Sequence, residues 1–160
     1  MICLEGQQAG LSWITVLKKR ENYRKAFHHF DPVAVAAMTE EDVEWLVLDA
    51  GIIRHRGKIQ AIIGNARAYL AMAENGEPFS DFVWSFVDNT PQVTQAATMA
   101  EIPTSTPASD ALSKALKKRG FKFVGTTICY SFLQACGLVN DHITGCFCHP
   151  GGQHDPQMAK

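Results

Sequence analysis

The eight residues from Gly120 to Thr127, Gly-Phe-Lys-Phe-Val-Gly-Thr-Thr, have the types and spacing to hold an anion. Two glycines, Gly120 and Gly125, bracket a short apolar turn between two segments of helical periodicity. Phe123 and Val124 can bury themselves and fix that turn. Gly125 lets the backbone come close to a ligand and leaves the first amide groups of the next helix, from Thr126 onward, exposed. Such amides at a helix N-terminus bind anions, most commonly phosphate. Lys122 and the preceding Lys117, Lys118 and Arg119 add positive charge at the same end.

Main-chain amides that hold phosphate without reading bases are the logic of a helix-hairpin-helix DNA element. A plain helix–helix connection is the competing reading. The distribution of charge bears on the choice. Asp31 to Asp49 carries Asp31, Glu40, Glu41, Asp42, Glu44 and Asp49 with no Lys or Arg. Ala111 to Asn140 carries Lys114, Lys117, Lys118, Arg119 and Lys122 with no acid, and Arg54, Arg56, Lys58 and Arg67 form a second basic cluster. A neutral protein can meet a polyanion through one such face, although charge runs also occur as ordinary solvated helix surface.

The elements that must position these residues read as helices. Leu11, Ile14 and Leu17, flanked by Trp13 and Val16, recur at helical spacing before the polar run Lys18–Lys25. Asp31–Pro32 is an N-cap with proline at the first helical position. Thr39 caps the next segment with Asp42 three residues on, a relative of the capping box, and Gly51 should end it. A long helix is predicted from about Arg54 to Glu74, with Ile59, Ile62, Ile63, Ala66, Tyr69 and Leu70 along one face. Phe79–Val87 reads as a buried helix capped by Ser80. Asp88–Pro107 reads as a long loop. Thr106–Pro107 opens a helix with Ala108, Ala111, Leu112, Ala115 and Leu116 inward, stopped by Gly120. The last helix spans Thr126–Ala135 before Gly137, with Cys129 and Cys136 as core thiols. Trp45 and Trp84 read as core tryptophans, and His28, His29 and His154 as exposed. No alternating run is long enough to build a sheet, so the fold class is all-α. A single helical domain is expected over 1–150, with a tail over 151–160, and Gly145–Lys160 is expected to lack regular structure.

A chain of 160 residues with 46% hydrophobic and 19% charged residues can bury a real core, which argues against a disordered chain. Net charge is −1, so no global basic field announces nucleic acid. Apolar runs such as Trp45–Ile53 are far shorter than a membrane span and contain Asp49. No basic region or unbroken apolar run marks an export signal at the start, and five cysteines is an odd number. Reduced thiols in the cytoplasm are expected, with metal ligation open to some of them.

Four pieces resemble, in order, the 3-methyladenine DNA glycosylase I family of the helix-hairpin-helix glycosylase superfamily. They are Cys3-Leu4-Glu5-Gly6-Gln7-Gln8-Ala9-Gly10-Leu11-Ser12-Trp13, Gly51-Ile52-Ile53-Arg54-His55, Phe121-Lys122-Phe123-Val124-Gly125-Thr126-Thr127, and Val139-Asn140-Asp141-His142 with Cys146. The resemblance implies an enzyme of base excision repair that hydrolyses the N-glycosidic bond of 3-methyladenine in alkylated double-stranded DNA. It implies a monofunctional enzyme with no lyase step, expected as a monomer. In the family a further segment precedes the position of Met1 and carries two zinc ligands, one Cys and one His, with aromatic residues of the base pocket. The chain is therefore expected to lack that segment.

By the same resemblance Glu5 is the catalytic and base-binding carboxylate and Trp13 the ring that stacks on the base. Gln8, Gly10 and Leu11 form a DNA-binding turn that fills the gap left by the flipped base, Leu11 as wedge; burial of Leu11 in the core is the rival reading. Lys122, Gly125 and Thr126 bind the DNA backbone. His142 and Cys146 match two ligands of a structural zinc, which takes four. Cys148 and His149 stand near them but are cramped for one tetrahedron. Asp141, beside His142, is expected to orient that ligand and not to be catalytic. A non-catalytic DNA-binding fragment and a zinc-dependent interaction protein are the alternatives.

Overall fold

A computed structural model describes residues 1–152. Among these the chain forms α1 (Ile2–Gln8), α2 (Trp13–Leu17), α3 (Arg20–Ala26), α4 (Pro32–Ala36), α5 (Glu40–Leu46), α6 (Arg56–Glu74), α7 (Phe79–Trp84), α8 (Pro107–Lys118) and α9 (Thr126–Ala135). The only sheet among the described residues pairs β1 (Gln92–Val93) with β2 (Val139–Asn140) in parallel, Gln92 opposite Val139 and Val93 opposite Asn140. The chain is therefore predominantly helical, and this ladder ties the loop after α7 to the strand after α9.

The caps explain the boundaries. Asp31 accepts from the backbone of Val33 and Ala34 with Pro32 at the first position of α4, and Thr39 and Asp42 form a full capping box on α5. A second box, Thr106 with Ser109, opens α8 behind Pro107. The long helix starts later than its pattern suggests, because His55 Nδ1 accepts from Lys58 N and makes His55 the N-cap of α6. Ser80 is not a cap: α7 begins at Phe79 after Pro78, and the Ser80 hydroxyl bonds to Asp81. α5 ends at Leu46, before Gly51 is reached.

The 19-residue α6 runs through the molecule and feeds both apolar clusters. Ile59, Ile62 and Ile63 join Leu4, Val16, Tyr23, Phe27, Val35, Val43 and Ile52. Ala68 and Met72 join Phe82, Val83, Leu112, Leu116, Phe121, Val124 and Leu133. Cys3 on α1 packs against both, so α1 lies at the seam. Several expected core positions face outward. Trp45 is 69% exposed, and Ile14 and Leu17 stand 56% and 42% exposed while Val16 supplies the buried side of α2. Ala111, Tyr69 and Cys136 are exposed, whereas Cys129 is buried. Trp84 is half-buried against the second cluster. His28 and His29 are exposed; His154 lies outside the described residues.

Candidate functional site

Glu5 sits within α1 and is only 4% exposed. Among the described residues its carboxylate has no hydrogen-bond or ion-pair partner, and burial holds it above the usual carboxylate range, an effect the nearby Met1 ammonium only partly opposes. A desolvated, unpaired carboxylate is costly to a fold, and that cost falls when a cation comes to it. α2, which packs against α1, carries Trp13 half-buried at the edge of a core cluster.

The turn between these helices protrudes. Gly10 takes φ +75°, and a Cβ there would meet nothing within 4 Å, so the left-handed backbone is the reason for glycine at this point. Leu11 is exposed and not in the core. Gln8 closes the turn, its Nε2 donating to Leu11 O at 2.6 Å while Leu11 N donates to Gln8 O at 2.7 Å.

The connection between α8 and α9 is held from several sides. Asn65 of α6 grips the Lys122 backbone with both amide atoms: Nδ2 donates to Lys122 O at 3.1 Å and Lys122 N donates to Oδ1 at 2.8 Å. Ser113 Oγ donates to Val124 O at 2.6 Å. A Cβ on Gly6 would stand 3.0 Å from Phe123 O and 3.2 Å from Phe123 Cβ, so α1 crosses this connection with no room for a side chain. Phe123 itself holds a left-handed φ of 55°. Gly125 is the N-cap of α9 and gives no side-chain cap, the first backbone bond running from Cys129 N to Gly125 O at 2.9 Å. The Lys122 side chain is exposed beside this entry. The Thr126 hydroxyl is already engaged, donating to Asp110 and sharing a 3.0 Å bond with Ser109, which brings an acid to the helix entry.

Much of the remaining positive charge is committed elsewhere. Arg119 Nη2 and Nε bond the Glu77 carboxylate at 2.5 and 2.8 Å, and its guanidinium lies 4.2 Å over the Phe82 ring. In the second basic cluster Arg56 pairs with Glu40 and Glu44, Arg67 donates to the carbonyls of Ala36 and Met38, and Lys58 is buried against main-chain carbonyls. Lys117, Lys118, Lys122 and Arg54 remain exposed.

Near β2 the donor atoms of His142, Cys146 and Cys148 lie within 4.8 Å of one another. Cys146 Sγ is 3.5 Å from His142 Nδ1, a spacing that matches the roughly 3.5–4 Å between donors on a tetrahedral zinc. One imidazole and two thiols suit such a soft ion. His149 is turned away, its Nε2 3.0 Å from Thr94 O and its Nδ1 accepting from Gly151 N. Asp141 does not orient His142: it accepts from Tyr130 and, at 2.9 Å, from Gln134, both on α9. Burial of the Tyr130 phenol, reinforced by the Asp141 carboxylate, holds it above its usual range. Sequence reasoning missed Asn65 and read Lys58 only as part of a basic cluster, because their partners lie 49 to 57 residues away.

One helical scaffold thus offers a buried carboxylate, a half-buried indole and an uncapped helix entry with an exposed lysine in the connection before it. Residues 1–149 match the family model of methyladenine glycosylase. The chain is 84% identical over 153 residues to DNA-3-methyladenine glycosylase 1 of Escherichia coli (strain K12), covering 96% of this chain and 82% of that one. It is 60% identical over 147 residues to DNA-3-methyladenine glycosylase of Haemophilus influenzae, covering 92% and 80%. A crystal structure of 3-methyladenine DNA glycosylase I superposes with a TM-score of 0.92 at 82% identity, covering 93% of this chain and 82% of that one. The chain belongs to the methyladenine glycosylase family.

Proposed function

We propose that this chain is a monofunctional DNA glycosylase of base excision repair that hydrolyses the N-glycosidic bond of 3-methyladenine in alkylated duplex DNA. The observation that carries the reading is the buried, unpartnered carboxylate of Glu5. Methylation makes the adenine ring cationic and a good leaving group, so the enzyme's task is selection and capture more than acid catalysis. A desolvated carboxylate discriminates steeply here. A cationic base restores its missing partner, while neutral adenine leaves most of the burial cost standing. Trp13 stacks on the same electron-poor ring and adds a cation–π contribution of roughly 0.5–2 kcal/mol.

The rest of the site serves delivery of the base. Leu11, exposed on its glycine turn, enters the space vacated by the flipped nucleotide, with Gly10 and Gln8 against the strands. The connection between α8 and α9 acts as a helix-hairpin-helix element: the amides from Thr126 onward and the Lys122 ammonium hold phosphate, and the exposed Lys117 and Lys118 add to the local field. The Asp110 carboxylate beside Thr126 weakens that grip, so phosphate sits toward Lys122. No Schiff-base step is assigned to Lys58, because its ammonium is tied to two carbonyls.

A zinc ion is assigned a structural role, with His142 and Cys146 as two of the four ligands it takes. It supplies cross-linking of the chain near β2 and no chemistry to the glycosidic bond. The decisive experiment incubates the protein with methylated duplex DNA and follows free base by chromatography. Release of 3-methyladenine, with the DNA strand left intact until alkali is added, is expected. Duplex binding without release refutes the enzyme and leaves a non-catalytic DNA-binding chain.

A further inference from the structure

Lys58 occupies a position that disfavours a cation twice over. It is the third residue of α6, at the positive end of the helix, and it is 5% exposed. Burial lowers the pKa of its ammonium, and no carboxylate pairs with it among the described residues. Its Nζ donates instead to the main-chain carbonyls of Gln7 at 2.8 Å and Ala9 at 2.6 Å. These carbonyls lie at the C-terminal end of α1, where a helix runs out of its own donors and carries partial negative charge. The ammonium thus joins the positive end of one helix to the negative end of another.

The joint is closed a second time by side chains. Gln7 is 1% exposed, and its Nε2 donates to Lys58 O at 3.1 Å. Its Oε1 accepts from the Tyr23 hydroxyl at 3.0 Å, which in turn accepts from Ile53 N at 3.1 Å. Beyond Ala9 the chain leaves this knot and enters the Gly10–Leu11 turn. The bonds between Gln8 and Leu11 close that turn on itself and give it no direction. The bond from Lys58 to the Ala9 carbonyl ties its base to α6.

We infer that Lys58 is a positioning residue for the DNA-facing turn: by holding the carbonyls of Gln7 and Ala9, its ammonium sets the direction in which Gly10 and Leu11 stand out from the body. The inference rests on the proposed reading of that turn as the segment that enters the duplex. Lys58 acts through the backbone and touches neither base nor sugar.

Lys58→Met keeps an unbranched side chain one atom shorter and removes every donor; Lys58→Gln is the second variant, should the first fail to fold. In either, hydrogen exchange at the Leu11 amide should accelerate at least tenfold, and affinity for a duplex with an abasic-site analogue should fall at least tenfold. Affinity for free 3-methyladenine, titrated by tryptophan fluorescence, should stay within twofold, which a general loss of structure would not allow. Leu11→Ala in the unaltered chain is the companion measurement. If it weakens duplex binding and neither Lys58 variant does, the positioning role is overturned while the reading of the turn stands. If Leu11→Ala leaves duplex binding unchanged, the reading of the turn fails and the inference falls with it. Parallel loss of free-base and duplex affinity in the Lys58 variants also overturns it. The double variant Lys58→Met with Leu11→Ala should bind duplex no worse than the weaker single variant, because one lost interaction is counted twice.

Discussion

Asn65→Leu tests whether the connection between α8 and α9 must be held rigid to grip phosphate. Asn65 is 4% exposed and spends both amide atoms on the Lys122 main chain, at 3.1 and 2.8 Å. Leucine is close to it in volume, so the substitution removes the bonds without opening a large cavity. Each lost bond is worth about 0.5–1.5 kcal/mol net, and a buried main-chain group left without a partner costs about 1–3 kcal/mol. Because the Lys122 groups are only partly buried, the lower figures apply, and about 2–3 kcal/mol is expected in total. At about 2–4 °C per kcal/mol for a chain of this size, Tm should fall by roughly 4–12 °C. Urea melts should shift in midpoint with little change of slope. Affinity for an abasic-analogue duplex should fall at least tenfold, measured well below Tm so that unfolding does not contribute. Asn65→Asp keeps the acceptor for Lys122 N but sets an oxygen against Lys122 O, and should melt below Asn65→Leu at neutral pH. A Tm within a degree of the parent, or full duplex affinity in a clearly destabilised variant, refutes the reasoning.

Glu5→Gln should raise stability at neutral pH and lower excision at least tenfold. The folded carboxyl lies above its ordinary value of 4.5, so the parent's stability is full below that pH and declines as pH rises through the folded-state value; a Glu5→Gln melt that shows the same decline contradicts the assignment. Lys122→Ala should reduce the slope of log affinity against log salt by about one. Arg119→Met should leave that slope alone and act on melting instead, because Glu77 and Phe82 already occupy its guanidinium; an equal change of slope in both variants counts against the difference drawn between them. Cys146→Ser should abolish stoichiometric zinc uptake by mass spectrometry, and Cys148→Ser should weaken it if that second thiol shares the ion; retention of full zinc by Cys146→Ser removes the metal assignment.

The helix boundaries were legible where one residue decides them locally. Asp31, Thr39 and Thr106 cap within three residues of themselves, and α9 spans Thr126–Ala135 as the pattern predicts. The family resemblance named Glu5 and the Gln8–Leu11 turn, and in the fold Glu5 is buried while Leu11 is exposed. What local pattern missed was pairing across distance. Arg119 reads as a DNA-facing cation until Glu77, forty-two residues away, comes beside it. Arg56, Lys58 and Arg67 form a basic cluster in sequence, yet they point to three different partners in space. Periodicity also misjudged which side of a short helix is covered: α2 buries Val16 and α5 buries Val43 and Leu46, while Ile14 and Trp45 stand in water. The cluster of His142 and Cys146 was visible as spacing, but the exclusion of His149 depends on a carbonyl at Thr94 that only the β1–β2 pairing brings there.

At Gly6 the main chain of α1 rests directly on that of Phe123. The proposed wedge at Leu11 and the proposed phosphate grip at Lys122 and Gly125 are therefore joined through one crossing, where a hydrogen atom stands in for a side chain. A methyl group added there would press the two main chains apart by a few tenths of an ångström and shift both proposed elements together.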